Sequence, residues 1–226
     1  MQIMIWKAVA AGAIALAGAG ALSAQQDPPA AGELKVFATQ YVAAINSKDS
    51  AKLLALQNPK SLACMTGDKK DYYDFVLFNS LQDKIPANYT TSVGPVNEGN
   101  LKALESMGGQ FPIPPVKELH IDYQQGDDAG QEIVYLVQQN GHWLGDFPCI
   151  TDAAVMQFRD GRAAREAAMA HYKELADGIK EPLRSELIGL LRAHKTGSAT
   201  DRYHAASGQE IGTSMLVMDQ LKAEVR

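Results

Sequence analysis

Two histidines and one aspartate in the middle of the chain are the side chains best suited to chemistry. His120 and Asp122 lie two residues apart where polar and apolar residues alternate, and His142 follows in a later segment. Residues two apart share one face of a β-strand, so the three could bind a metal ion or form a base with an orienting carboxylate. The alternative is a solvated polar face behind apolar Leu119 and Ile121, and the alternation favours it. The sequence therefore assigns no metal, no cofactor and no catalytic residue.

Four aromatic side chains in the same region could line a ligand cavity. They are Tyr123, Tyr135, Trp143 and Phe147. Aromatic residues more often fill the core of a domain than border a cavity, so core packing is the alternative. Both interpretations place the four rings inside the domain.

Hydrophobic periodicity predicts helices first and strands afterwards. Six residues recur at helical spacing: Leu34, Phe37, Ala38, Tyr41, Val42 and Ile45. Asp49 is placed to cap a second helix, and a third is predicted over Asp71–Leu81. A period of two then predicts strands at 88–96, 116–124, 132–138 and 142–149. Asn140-Gly141 predicts the tight turn of a hairpin. This order indicates an α+β fold.

The distribution of arginine suggests a boundary near Asp152. All seven arginines follow it, whereas residues 33–154 hold nine lysines, fifteen acids and no arginine. We therefore expect an α+β domain over 33–152 and an all-helical segment over 153–226. Gly197 and Gly208 are predicted helix ends within that segment. Its last helix should bury Ile211, Met215, Met218, Leu221 and Val225.

The N-terminal residues have the pattern of a signal peptide. Lys7 supplies a positive charge, an apolar run extends over 8–22, and Ser23-Ala24 precede polar residues. The run is shorter than the ~20 residues that span a bilayer, although an uncleaved anchor is the alternative. We expect a signal peptide over 1–24, cleaved after Ser23 or Ala24, and a linker over 25–32. The protein would then be periplasmic or secreted.

The two cysteines, Cys64 and Cys149, are expected to form a disulfide bond. Exported proteins meet an oxidising environment, where two cysteines are more often bonded than free. Two unpaired thiols are the alternative. The pair is 85 positions apart, and on the chain-entropy model closing such a loop stabilises by roughly 4 to 5 kcal/mol.

Residues 33–150 resemble the nuclear transport factor 2-like superfamily, which includes polyketide-cyclase-like and ketosteroid-isomerase-like proteins. The matching features are the opening helix 37–46, the Ser47-Lys48-Asp49 turn leading to Leu53-Leu54, and the strand Gly141-His142-Trp143-Leu144. The resemblance implies a curved antiparallel sheet that forms a cone-shaped barrel around a long helix, often with an interior pocket. It also implies that the cysteines join helix to sheet.

The end of the chain is similar, over 198–222, to the C-terminal domain of the bacterial ribosomal stalk protein. The similarity rests on Tyr203-His204-Ala205-Ala206-Ser207-Gly208 and the residues that follow. It implies a helical hairpin with a contact surface for another protein. A cytosolic role would conflict with the signal peptide.

The net charge of the chain limits the classes of molecule that it could bind. Without the signal peptide the chain holds 20 basic and 26 acidic side chains, which disfavours nucleic acids and anionic membranes. We expect an exported module that binds an apolar small molecule or a protein partner, and a homodimer is compatible with this. The alternative is a cofactor-free isomerase, cyclase or hydrolase working in the cone. A buried carboxylate or histidine with a perturbed pKa would favour the enzyme, whereas the aliphatic strands favour binding.

Overall fold

The computed structural model describes residues 29–82 and 84–225, so the predicted signal peptide lies outside the described residues. The chain divides into two compact units. The first comprises the described residues up to Tyr123 together with Gly130–Val155, and the second comprises Gln124–Ala129 and the residues from Met156 onward. The predicted boundary near Asp152 lies three residues before this division. No helix in the described ranges has the length and apolar character needed to cross a membrane.

The first unit opens with helices, as predicted. They are α1 (Pro29–Asn46), α2 (Ser50–Ala55), α3 (Pro59–Leu62), α4 (Lys70–Ser80) and, between two strands, α5 (Glu98–Ser106). The six-residue apolar stripe of α1 is buried. Asp49 caps α2 as predicted, since its carboxylate accepts a hydrogen bond from the Lys52 backbone N–H at 3.0 Å. Helix α5 was not predicted, although Asn97 caps it by accepting from the backbone of Gly99 and Asn100.

The strands of the first unit form one antiparallel sheet and a short ribbon. The sheet runs in the order β1 (Thr90–Gly94), β3 (Lys117–Gln125), β4 (Asp128–Gln139), β5 (His142–Asp146). The ribbon pairs β2 (Gly109–Gln110) with β6 (Cys149–Ile150). The α+β class is therefore confirmed. Within the described residues the sheet is open, with β1 and β5 at its edges.

The β4–β5 turn confirms the hairpin signal in the sequence. Asn140 and Gly141 adopt φ of 51° and 83°, the left-handed values that a two-residue hairpin loop requires. The predicted strand 142–149 divides into β5 and β6, because Phe147 and Pro148 interrupt it. A proline has no backbone N–H to donate to a strand ladder, which ends the pairing there.

The core of the first unit lies between α1 and one face of the sheet. Ile45 of α1 and Leu119, Ile121 and Leu136 of the strands are all at most 1% exposed. Val134 belongs to the same cluster. The side chains that alternate with them on β3 and β4 lie on the opposite face. The helix thus fixes which face of each strand is apolar.

The second unit is helical. It contains most of α6 (Asp152–Asp160), then α7 (Arg162–Asp177), α8 (Leu183–Arg192), α9 (Thr196–Ser207) and α10 (Ile211–Ala223). Its core includes Ala176, Leu187, Leu191, Tyr203, Met218 and Leu221. Gly208 ends α9 with φ of 70°, as predicted.

Two details of the second unit differ from the sequence prediction. Gly197 lies in the first turn of α9 and ends no helix; the chain turns instead at His194, with φ of 54°. The buried face of α10 includes Val217 as well as Met218, whereas Ile211 and Met215 are each 48% exposed. Apolar residues are consecutive from Met215 to Met218, so periodicity could not fix the phase of this helix.

Asp128 forms hydrogen bonds within the second unit, to α9 and α10. Its carboxylate accepts hydrogen bonds from the Thr196 backbone N–H at 2.9 Å, the Thr196 hydroxyl at 2.6 Å and the Lys222 ammonium at 3.1 Å. Partial burial acts to raise the pKa of Asp128, but these donors outweigh burial and lower the pKa. The carboxylate is therefore more stable in the folded unit than in the unfolded chain.

Replacing Asp128 by Ala should lower the free energy of unfolding of the second unit by about 1 to 2 kcal/mol, because three hydrogen bonds are lost at a partly buried site. Because folding lowers the pKa of Asp128, its contribution is complete above pH 3.8, the ordinary value, and is lost as pH falls through the folded pKa. Urea denaturation at pH 7 and at pH 3 measures both effects. Equal stability of the two proteins at pH 7 would contradict the prediction.

The predicted disulfide is present: Cys64 and Cys149 are bonded, with their Cα atoms 5.5 Å apart. Cys64 follows α3, and Cys149 begins β6. The bond thus joins the helical part of the first unit to its strands.

Removing this bond in a Cys64→Ala, Cys149→Ala variant should lower the free energy of unfolding of the first unit by about 2 to 5 kcal/mol. The unfolded chain gains freedom when an 85-residue separation is no longer closed. Urea denaturation with and without reductant is the measurement. Reductant should lower the free energy of unfolding of the wild type and leave that of the double variant unchanged. Equal stability of the wild type with and without reductant would refute the prediction.

Candidate functional site

A cleft of about 150 Å³ opens in the first unit, between its helices and strand β4. Helices α1, α2 and α4 supply one side, and β4, Asp146 and the Phe147-Pro148 segment supply the other. Most of the lining is apolar or aromatic. The residues that border the cleft include Tyr41, Leu53, Leu54, Met65, Tyr72, Tyr73, Val76, Leu77, Glu132, Val134, Tyr135, Asp146 and Phe147.

The cleft exists because β5 is shorter than β4. The register between them ends where Asp146 lies opposite Tyr135, whereas β4 extends back to Asp128. Beyond that pair the chain leaves the sheet through Phe147 and Pro148 to enter β6. The part of β4 that includes Glu132 and Val134 is therefore not covered by β5, and it borders the cleft.

Tyr73 on α4 holds the diverging segment in place. Its hydroxyl donates a hydrogen bond to the Pro148 carbonyl at 3.1 Å and accepts one from the Ile150 backbone N–H at 2.8 Å. The Tyr73 ring also lies 5.5 Å from the Phe147 ring, centroid to centroid. These contacts and the nearby disulfide keep the cleft wall rigid without any pairing to β4.

Asp146 is the most unusual side chain of the cleft. It is only 4% exposed, and its Oδ1 accepts hydrogen bonds from the Asn58 side-chain amide at 3.0 Å and from the Ser61 hydroxyl. Its Oδ2 is buried and makes no hydrogen bond to the described part of the chain. Burial raises the pKa of Asp146, although the donors of Ser61, Asn58 and the Phe147 backbone oppose the rise.

The unpartnered oxygen distinguishes Asp146 from other buried polar groups. Within the described residues, Trp143 Nε1 and Ser214 Oγ are also buried without a hydrogen bond. Both of those groups are neutral, whereas a carboxylate oxygen carries charge. A buried charge without a full set of donors costs more free energy than a neutral N–H or hydroxyl. Asp146 Oδ2 is therefore the buried polar atom of the described residues whose missing hydrogen bond costs most.

Aromatic rings surround the carboxylate side of the cleft. The centroids of Tyr72 and Tyr73 are 5.3 Å apart and their planes are nearly perpendicular, which extends the Tyr73–Phe147 contact into a row of three rings. Burial and the charge of Glu118 raise the pKa of Tyr135 to about 12. Burial and the charge of Glu132 also raise the pKa of Tyr41. Both phenols therefore stay neutral near pH 7.

The charge of the cleft is negative. Among the described residues that border it, Glu132 and Asp146 are acidic, and none is lysine, arginine or histidine. Burial is the larger cause of the raised pKa of Tyr41, and the charge of Glu132 adds to it, since a phenolate next to Glu132 would be repelled. Electrostatically, the site suits a cation or a neutral donor rather than an anion.

The four aromatic residues singled out in the sequence lie in different places. Tyr135 and Phe147 border the cleft. Trp143 borders a second groove, formed by α1, the end of α2 and β5. Tyr123 packs against the main core, and its ring lies where a Cβ at Gly130 would clash.

The three polar residues singled out in the sequence have separate partners. His120 Nε2 lies 3.1 Å from the buried Glu118 carboxylate, and Asp122 accepts a hydrogen bond from Gln131 at 2.6 Å. His142 is exposed and pairs with Gln139. Gln131 and Gln139 are eight positions apart on β4, or roughly 26 Å at strand spacing, so His142 lies far from Asp122. In the described part of the chain no group of three His, Cys, Asp or Glu side chains is arranged to hold a metal ion.

Sequence reasoning missed Asp146, Asn58 and Ser61. The available signal was an acid within the apolar run Trp143-Leu144-Gly145-Asp146-Phe147, where a charged side chain needs a buried partner. Its partners are more than 80 residues away in the sequence, so spacing could not reveal them.

No protein-family model, curated protein or solved structure matches this chain.

Two variants of Asp146 separate its anchoring role from its charge. Asp146→Ala removes the acceptor of Asn58 and Ser61 and should lower the free energy of unfolding by about 2 to 4 kcal/mol. Asp146→Asn keeps an acceptor at Oδ1, so the free energy of unfolding should change by at most about 1 kcal/mol at pH 7. Urea denaturation of the three proteins is the measurement. Equal losses for Ala and Asn would show that the charge, not the acceptor, holds the structure.

The pH dependence follows from the raised pKa. The folded state binds the Asp146 proton more tightly than the unfolded chain, so the wild type should gain stability relative to Asp146→Asn as pH falls from 7 through the folded pKa. Below the ordinary value of 3.8 the difference should stay constant. A difference that shrinks on acidification would contradict the raised pKa.

Proposed function

We propose that this protein is an exported binding protein that holds a small, mainly apolar molecule in the cleft of its first unit. The observation that carries the proposal is the cleft itself, which is about 150 Å³ in volume and bordered mostly by aliphatic and aromatic side chains. A cavity of this size lined by apolar groups is sufficient for a ligand of about one aromatic ring. The rigid wall around Tyr73 and Pro148 would place little ordering cost on binding.

Membership of the nuclear transport factor 2-like superfamily is part of this proposal. Support comes from the opening helix packed on an antiparallel sheet, with the Gly141–Leu144 hairpin strand at its edge. The cone-shaped barrel typical of that superfamily is likewise proposed, with the cleft as its interior.

Export is proposed on two grounds. The N-terminal sequence has a charged start, a short apolar run and small residues before a polar break. The Cys64–Cys149 disulfide fits an oxidising compartment. An apolar ligand fits the cleft, whereas nucleic acids and anionic lipid surfaces would be repelled by the net negative charge of the chain.

A second candidate is a cofactor-free isomerase, cyclase or hydrolase in the same cleft. The observation that favours it is Asp146, a buried carboxylate with a raised pKa that borders the cleft. The neutral phenols of Tyr41 and Tyr135 could donate hydrogen bonds to a substrate oxygen. We place binding first because most of the surface of the cleft is apolar.

A change of volume at Val76 tests the binding site. Val76 on α4 borders the cleft and is half-buried. Val76→Phe should fill part of the 150 Å³ and weaken binding of benzyl alcohol by about tenfold or more, as expected for a blocked apolar site. Val76→Ala, the matched control, enlarges the cleft and should retain binding. Titration followed by protein amide NMR shifts gives the affinities.

The result that would refute the proposal is equal affinity of Val76→Phe and wild type, or shifts confined to residues outside the cleft. Native mass spectrometry of the protein recovered from the exported fraction is the complementary measurement. A co-purified mass that leaves on denaturation would supply the natural ligand for direct enzymatic assay, which decides between the two candidates.

A further inference from the structure

Strand β1 forms an edge of the sheet in the first unit. It pairs with β3 on one side, and the described residues supply no strand on its other side. No backbone hydrogen bond from the described part of the chain reaches that other side, and the residues from Thr90 to Val93 are exposed. We propose that this edge binds a second copy of the chain, through antiparallel pairing of β1 with the β1 of that copy. The inference goes beyond the proposed function, because β1 does not border the cleft.

The features that normally keep an edge strand from pairing are absent from β1. Natural edge strands carry a charge, a proline or a bulge that blocks a further strand. The sequence of β1 is Thr-Thr-Ser-Val-Gly, and its five residues match Glu118–Asp122 of β3 one to one, without a bulge. Val93 is 38% exposed, and no other large apolar side chain is exposed on the described strands. The edge of β1 is therefore a template for another strand.

The opposite edge of the sheet, β5, is occupied by the chain itself at Gly145. Gln57 forms a parallel bridge with Gly145. The Gly145 backbone N–H donates to the Leu56 carbonyl at 2.9 Å, and the Asn58 N–H donates to the Gly145 carbonyl at 2.8 Å. The β1 of a second copy therefore cannot pair along β5. The contact that remains joins β1 to β1, and because it uses the same surface of both copies it closes as a two-fold dimer.

The length of β1 selects one register for the self-pairing. Pro95 follows Gly94 and has no backbone N–H, which ends the strand. All five residues can pair only when the two-fold axis passes between the two copies of Ser92. Thr91 of each copy then lies opposite Val93 of the other, on the face that packs against α1. Such a β-branched pair stabilises an antiparallel ladder and covers the exposed valine.

Charge does not oppose this pairing, since β1 has no ionisable side chain. Glu118 and Asp122 of β3 lie on the same face as Ser92. Glu118 pairs with His120, and Asp122 accepts a hydrogen bond from Gln131. In the dimer, Asp122 of one copy and Glu118 of the other would be three strand spacings apart, or roughly 14 Å. That separation exceeds the Debye length of ~10 Å at 0.1 M salt, so the repulsion between them is largely screened.

Cross-linking of the full disulfide-bonded chain tests the register. In Ser92→Cys the two introduced thiols face each other, with their Cα atoms roughly 4.5 to 5.5 Å apart, a distance that a disulfide spans. Thr90→Cys is the matched control on the same exposed face, and its two thiols would be offset by roughly 14 Å along the strands. Oxygen with copper phenanthroline should cross-link Ser92→Cys at least about tenfold faster than Thr90→Cys. Electrophoresis without reductant measures the covalent dimer.

Sedimentation velocity measures the reversible dimer. A five-residue strand pair gives a small interface, so the sedimentation coefficient of the wild type should rise with concentration between roughly 0.05 and 1 mM. Ser92→Lys should weaken the association by at least about tenfold, because it places two ammonium groups opposite each other. Gln138→Lys is the matched control, since it adds the same charge to an exposed residue of β4. It should leave the association unchanged.

Three outcomes would overturn the inference. One is a sedimentation coefficient that does not change with concentration. Another is equal cross-linking of the two cysteine variants, which would reflect random collision, and the third is an association that Ser92→Lys does not weaken. Amide NMR spectra check that each variant is folded. Because β1 lies outside the cleft, Ser92→Lys should bind benzyl alcohol as the wild type does, so failure of the dimer and failure of the binding cleft are distinguishable.

Discussion

The architecture of the first unit depends on a buried polar cluster at the end of β5. Asp146 accepts hydrogen bonds from Asn58 and Ser61, which lie at the connection between α2 and α3 and in α3 itself. The Asn58 backbone N–H donates to the Gly145 carbonyl at 2.8 Å, and the Gly145 N–H donates to the Leu56 carbonyl at 2.9 Å. A Cβ at Gly145 would lie 2.7 Å from the side-chain amide of Gln57, so a larger residue here would displace that side chain. The cluster therefore ties the helical layer to the edge of the sheet.

These hydrogen bonds to the α2–α3 connection determine where β5 ends. With Asp146 held by the α2–α3 connection, the following residues cannot continue alongside β4, and Pro148 removes the backbone donor that such pairing would need. The chain turns into β6, where the disulfide and the hydroxyl of Tyr73 secure it. The uncovered part of β4 and the space next to it are consequences of that divergence. The cleft is thus a product of the buried cluster rather than a gap left by poor packing.

Apart from the disulfide, what could be predicted from the sequence was local. The apolar stripe of α1, the Asp49 cap and the Asn140-Gly141 turn all follow from interactions between residues close in the chain, and each is confirmed. Met218 and Leu221 of α10 are buried as predicted, but the predictions that Ile211 and Met215 are buried and that Gly197 ends a helix were wrong. A run of four apolar residues, or a single glycine, fits more than one arrangement. The Asp146 cluster was missed because its members are brought together only by tertiary structure.

The identity of residue 146 is the last point that the fold alone does not explain. An asparagine would offer the same oxygen to Asn58 and Ser61, and its burial would cost less free energy than that of a carboxylate. The raised pKa of Asp146 reflects this cost, which the donors present only partly offset. Structural anchoring therefore accounts for an acceptor at this position but not for a charge.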